Sequence, residues 1–154
     1  MTQTNQLIKT VVSTGVGKIN KDQKVMERVL DNLAKITGQQ PVKRTAKKAI
    51  AGFKVRQGDT VGYLVTLRGK RMNDFLTKLA KVVLPANRDF KGIQPSSIDG
   101  AGNLTIGITD MTTFPEIQEQ SGTFQHGLEI TLVPRERQKN PQGLYENLGI
   151  PFKK

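Results

Sequence analysis

Hydrophobic and polar positions along the chain change period several times, and each change marks an element. From Leu7 to Val16 the chain reads LIKTVVSTGV, a β-branched run that predicts a first strand ending in a tight turn at Gly15-Val16-Gly17. Val25, Met26, Val29, Leu30, Leu33 and Ile36 then recur at helical spacing, with Glu27, Arg28, Asp31, Asn32 and Lys35 opposite them. An amphipathic helix is expected there, capped by Asn20 with Gln23 in the capping-box position and stopped by Gly38. Its apolar stripe is the face that lies on a sheet. A second strand, PVKRTA, starts at Pro41.

After a long segment punctuated by Gly52, Gly58 and Gly62, strict alternation returns. Val61, Tyr63, Val65 and Leu67 point one way, and Leu64, Thr66 and Arg68 point the other. Met72, Phe75, Leu76, Leu79, Val82 and Val83 form a second helical stripe, which Pro85 is expected to end. Loop-like sequence follows to Gly102 and closes on Asp99-Gly100-Ala101-Gly102-Asn103, a hairpin-type turn. Two further strands carry Leu104, Ile106, Ile108 and then Leu128, Ile130, Leu132 inward, leaving Thr105, Thr109, Glu129 and Thr131 outward. Asn140-Pro141 opens a last short helix docked by Leu144, Tyr145 and Leu148 and stopped at Gly149. Alternating strands with helices gathered on one side predict an α+β class: a mostly antiparallel sheet, two main helices on one face, the other face open.

The length of 154 residues fits one domain, 1–154, with a core of its own. Charge changes this plain picture. Between Pro41 and Arg71 lie nine basic residues (Lys43, Arg44, Lys47, Lys48, Lys54, Arg56, Arg68, Lys70, Arg71) and one acid, Asp59. That net +8 is most of the chain's formal +11, held in about a fifth of its length. Such a density of cations on a strand, a loop and the next strand is built to meet a polyanion, and RNA fits best. The outward threonines add short donors and acceptors for 2′-hydroxyls and phosphates. Phe53 stands among the cations, where it either stacks on a base or tucks the loop onto the body.

Other chemistries find little support. There is no Cys, which excludes disulfides, thiolate metal sites and cysteine nucleophiles. No apolar run approaches the roughly 18 residues that cross a membrane, and the start, MTQTNQLIKT, lacks a signal peptide's apolar core, so a cytoplasmic protein without a membrane partner is expected. Gly15-Val16-Gly17-Lys18 fails as a phosphate-binding loop, because position 12 is Val and Ile19 follows the lysine. The one histidine, His126, has no sequence partner for acid–base work, and the 13 acids form no metal-like cluster, so neither catalysis nor a metal or cofactor is expected. Asn103-Leu104-Thr105 matches a glycosylation acceptor but comes without a secretion signal.

Longer matches then become recognisable. They include Gly15-Val16-Gly17, Ile36-Thr37-Gly38-Gln39 with Pro41, Ala46-Lys47-Lys48 through Ile50-Ala51-Gly52-Phe53-Lys54, and Val65-Thr66-Leu67-Arg68-Gly69 with Arg71-Met72. Leu84-Pro85, Arg88-Asp89-Phe90, Asp99-Gly100 with Gly102-Asn103, Phe114-Pro115-Glu116-Ile117, and Leu148-Gly149 with Pro151-Phe152 continue the series. Together they resemble the bacterial-type fifth large-subunit ribosomal protein family, which binds 5S rRNA, over nearly the whole chain. The resemblance implies a non-enzymatic structural constituent of the large ribosomal subunit, placed in its central protuberance. It implies 5S rRNA binding by Ser13, Gln39, Thr66 and Arg68, with Lys43, Arg44, Lys47 and Lys48 beside them. The long loop would reach peptidyl-site tRNA with Phe53 and its tip Lys54, Val55, Arg56, Gln57 and Gly58. Further implied partners are 23S rRNA, neighbouring large-subunit proteins and a small-subunit head protein across the intersubunit bridge.

Two departures from the family pattern stand out. Family members usually carry a leading helix before the first strand, and this sequence starts almost at the strand. They also usually have Asn where Ser13 stands, an RNA-facing position; Ser offers one short hydroxyl where an amide offers several groups. Two alternatives use the same surface: a free RNA chaperone or translational regulator, and an RNA-modifying enzyme that would need His126.

Overall fold

Five segments with two-residue alternation pair into one sheet: β1 (Leu7–Gly15), β2 (Val42–Thr45), β3 (Thr60–Leu67), β4 (Leu104–Ile108) and β5 (Leu128–Pro134). The structure is a computed structural model and describes residues 6–17, 22–47, 57–86, 92–120, 126–137 and 139–153. Strand order is β2-β3-β1-β5-β4, and every neighbouring pair is antiparallel. Register puts the buried apolar side chains on one side: Val12 lies opposite both Val65 and Ile130, and Ile130 lies opposite Ile106. Those four are at most 1% exposed. At Gly62 the strands come so close that a Cβ would sit 2.7 Å from the Thr14 carbonyl oxygen, so only glycine fits.

Helices α1 (Gln23–Thr37), α2 (Gly69–Lys78) and α3 (Pro141–Asn147) supply the other half of the core. This is the expected α+β arrangement. Met26, Val29, Leu33 and Ile36 of α1 are buried, and Gly38 at φ 72° ends the helix by donating its N–H to Ala34. The amino-terminal cap differs from expectation. Asp22 takes that role, its carboxylate accepting from the Val25 N–H at 3.3 Å, while Asn20 lies outside the described residues. Asn140 caps α3 as expected, accepting from Gly143.

Two residues defy the helical wheel. Asn32, read as outward, is buried at 1% exposure. Its amide pairs with that of Gln120 through two hydrogen bonds of 3.0 and 2.9 Å, and Arg28 Nε donates to the same Gln120 Oε1 at 2.8 Å. The pair ties α1 to the segment between β4 and β5. That segment is wound into 3-10 turns, Met111–Thr113 and Pro115–Gln120, which bury Met111, Phe114 and Ile117. Val82, read as inward, is 46% exposed. Beyond Lys78 the second helix widens into a π-turn, Leu79–Val83, and runs on through Leu84–Ala86 rather than stopping before Pro85. The wider turn sits just ahead of a residue with no N–H, and it rotates Val82 off the core stripe.

Remaining contacts close the ends. Asp99 accepts from the N–H groups of Ala101 and Asn103 and from the Asn103 side chain, which hold its carboxyl below the usual carboxylate range. The turn it organises closes on one bridge, Ile98 with Leu104, rather than a full hairpin. The chain end pairs in parallel with Ile93, whose N–H donates to Pro151 at 2.8 Å. Tyr145, fully buried, donates its hydroxyl to the Gly102 carbonyl at 2.6 Å and lies 3.3 Å from that of Leu132, joining α3 to the β4 turn and to β5.

Candidate nucleic-acid interface

The side of the sheet away from the helices carries no second layer among the described residues. Its rows follow from the register. Thr66, Val11, Thr131 and Thr105 lie in one line across β3, β1, β5 and β4. Val42, Leu64, Ser13, Glu129 and Gly107 form the next line, this time starting from β2. Arg44 lies opposite Gly62, which lies opposite Gly15, and that row carries the guanidinium to one corner. Arg68 is extended (φ −141°, ψ 157°), so the alternation of β3 continues through it and leaves its exposed side chain on the side of Thr66. Hydroxyls, two guanidiniums and small apolar side chains share this surface. Lys9, opposite Val133, adds a cation that the sequence reading missed, because a bulge between Leu7 and Lys9 breaks the alternation that would have revealed it.

The structure thus brings Ser13, Arg44, Thr66 and Arg68 to one face. It treats Gln39 and Lys43 differently. Gln39 Nε2 donates to the Thr66 carbonyl at 3.1 Å, and its Oε1 accepts from Arg71 Nη1 at 3.1 Å. Thr66 lies past the end of the β2 ladder, so this amide supplies the hydrogen bond a longer β2 would have made. Gln39 therefore stands as a brace under Thr66. Lys43 lies opposite Tyr63, on the helix side of the sheet, and stays exposed because β2 is the edge strand. Lys47 is exposed and lines an open depression of about 480 Å³ with Ser13, Gly15, Arg44 and Glu129.

The base of the long basic loop is pinned. Ala46 donates to Asp59 at 2.8 Å, and Gly58 donates to Ala46 at 2.9 Å. Gln57 and Gly58 are exposed at that base, while Lys48, Phe53, Lys54, Val55 and Arg56 lie outside the described residues. His126 sits half-buried ahead of β5. Burial pushes its pKa down, and a backbone hydrogen bond with Gly15 works against that shift. No cluster of three or more potential metal ligands occurs among the described residues, and no helix among them is long and apolar enough to cross a membrane.

Lys78 marks a contact that sequence reasoning missed. Its ammonium donates to the Ile36 carbonyl at 2.7 Å, pairs with Glu116, and stands 5.6 Å from the ring centroids of both Phe75 and Phe114. One cation thereby fastens the end of α1, α2 and the 3-10 segment together. The last carbonyls of any helix lack a partner within it, so the signal was a lysine placed among apolar residues where it could reach the end of α1.

A packed α+β layer with a hydroxylated, basic open face has the chemistry that suits a polyanion. Comparison with known proteins makes this specific. Residues 2–56 match the family described as ribosomal protein L5, and residues 60–152 match the C-terminus of that same ribosomal protein family. The large ribosomal subunit protein uL5 of Acaryochloris marina is 44% identical over 149 residues, which are 96% of this chain and 82% of that relative. The uL5 protein of Halothermothrix orenii is 45% identical over 94% of this chain and 81% of its own length. That of Thermotoga maritima is 40% identical over 99% and 83%. The chain belongs to the L5 family of large-subunit ribosomal proteins.

Proposed function

We propose that this protein is a structural, non-catalytic constituent of the large ribosomal subunit that docks 5S rRNA on the open face of its sheet. Its place of work is the ribosome, in the cytoplasm. The observation that carries the reading is the division of the sheet: one face is buried against α1, α2 and α3, and the other keeps Ser13, Thr66, Arg68 and Arg44 for an outside partner. Long-range attraction comes from the basic stretch, and shape-specific contacts come from side chains fixed on rigid strands. Gln39 acts from behind, holding Thr66. Support for one functional unit comes from the strand order, since β1 of the first matched segment lies between β3 and β5 of the second.

To the basic stretch between Ala46 and Asp59 we assign the contact with peptidyl-site tRNA, through Phe53, Lys54, Val55, Arg56, Gln57 and Gly58. 23S rRNA, neighbouring large-subunit proteins and a small-subunit head protein complete the set of partners. The test is binding of the purified protein to 5S rRNA and to an unrelated RNA of equal length across a salt series. A preference for 5S rRNA that persists near physiological salt is the expected result. Equal binding that is lost in parallel as salt rises would leave only counterion release and favour a free RNA chaperone.

A further inference from the structure

The open face holds one feature at odds with a phosphate-binding surface. Among its described strand residues Glu129 is the one acid, and it is exposed. Its carboxylate makes no hydrogen bond or ion pair with any described residue. A carboxylate left bare on a face that meets a polyanion repels any phosphate placed near it. Its surroundings differ from the rest of the face too. Ser13 and Gly107 stand directly opposite it on the flanking strands. Gly15, Gly107 and Gly127 line the same open depression of about 370 Å³, so its floor is largely bare backbone. A Cβ at Gly127 would meet the Ile108 carbonyl oxygen at 2.9 Å, so that part of the floor cannot carry a side chain. Thr14 fastens Gly127 there, donating to its carbonyl at 2.7 Å. A floor of glycine backbone, edged by the Ser13 and Thr109 side chains and by one carboxylate, suits a planar group that brings N–H donors.

Among the four RNA bases only guanine presents two adjacent N–H donors, N1–H and N2–H, on its Watson–Crick edge. Adenine and cytosine set a ring lone pair beside their amino group, and uracil's imino group lies between two carbonyls, so each repels one carboxylate oxygen. Resting on the reading above that this face meets RNA, we infer that Glu129 is a specificity-determining residue. Its two carboxylate oxygens accept N1–H and N2–H of an unpaired guanine lying on the glycine floor, with the Ser13 hydroxyl beside it. Charge on this face therefore sorts the RNA: cations take the backbone, and the lone acid takes a base edge.

The test compares the parent protein with Glu129→Gln, an isosteric change at an exposed site. Affinity is measured for 5S rRNA and for an unrelated RNA of equal length, and guanine reactivity toward kethoxal, which attacks N1 and N2, is mapped in each complex. Glu129→Gln is expected to weaken 5S rRNA binding about ten- to a hundredfold, because a bidentate pair is broken. The unrelated RNA should bind as before or slightly tighter. One guanine shielded in the parent complex should regain reactivity with the variant. Equal or tighter 5S rRNA binding, with the same guanines shielded, would overturn the inference and mark Glu129 as mere repulsion. If the parent itself shows no preference for 5S rRNA, the reading of the preceding section fails. Glu129 is then judged on the footprints of both RNAs, and it falls if no guanine's shielding depends on it.

Discussion

Tyr145→Phe removes one oxygen from the centre of the molecule, and its consequences at neutral and alkaline pH are separable. Tyr145 is fully buried and its hydroxyl donates to the Gly102 carbonyl at 2.6 Å. Phenylalanine keeps the ring packing and leaves that carbonyl without its donor. The expected loss near neutral pH is about 1–2 kcal/mol, the scale for a buried hydrogen bond whose partner stays behind. At high pH the sign reverses in favour of the variant. Burial pushes the Tyr145 pKa up from 10.0 to about 12. Between those values the unfolded chain has released the phenolic proton and the folded protein still holds it, so ionisation favours unfolding. Parent stability should fall by about 1.4 kcal/mol per pH unit there, some 2–3 kcal/mol in all, and this contribution is fully absent below pH 10. In Tyr145→Phe that slope should shrink to what remains from Tyr63, whose pKa is also raised by burial and by Glu27. Urea unfolding at pH 8, 10 and 11.5, with tyrosinate absorbance as the second probe, reads both effects. Equal stability at pH 8 together with an unchanged alkaline slope would refute the role assigned to this hydroxyl.

Three other substitutions probe the frame beneath the open face, each read by urea unfolding. Gly62→Ala forces a Cβ to 2.7 Å from a backbone oxygen on β1, and a loss of about 2–3 kcal/mol is expected; a neutral result would mean the strands separate freely there. Lys78→Met keeps the apolar stem over Phe75 and Phe114 but strips the charged hydrogen bond from the Ile36 carbonyl, and about 2–3 kcal/mol should be lost. A loss below about half a kcal/mol would show that the ammonium contributes only as a solvated surface charge. Thr10→Val has the opposite sign. The Thr10 hydroxyl is buried without a hydrogen-bond partner, so valine should stabilise by about 1 kcal/mol, and destabilisation would mean the hydroxyl is satisfied.

Much of this architecture is legible in the sequence because local pattern and tertiary burial agree. β3, β4 and β5 alternate cleanly, and the stripe on α1 falls on the buried side. The misreadings have causes that local pattern does not carry. Asn32 turns inward because Gln120, 88 residues away, completes its amide pairing, and no helical wheel contains that residue. Val82 turns outward because the helix widens ahead of Pro85, a change of pitch that 3.6-residue spacing assumes away. The candidate interface is readable in kind from its cations and threonines. Its assembly is not, since only strand pairing puts Ser13, Arg44 and Thr66 on one surface and sends Lys43 to the other side.

The measurement that bears most directly on the open face as the 5S rRNA site compares two single-charge losses. Arg68→Ala removes a guanidinium from that face, and Lys24→Ala removes an exposed cation from α1, on the helix side. Affinity for 5S rRNA near physiological salt should fall by about 1.5–3 kcal/mol in the first variant, as for a lost charged hydrogen bond. Lys24→Ala should bind within a few-fold of the parent. Equal losses in the two variants would contradict the assignment, because the protein would then be holding RNA by total charge and not by this face.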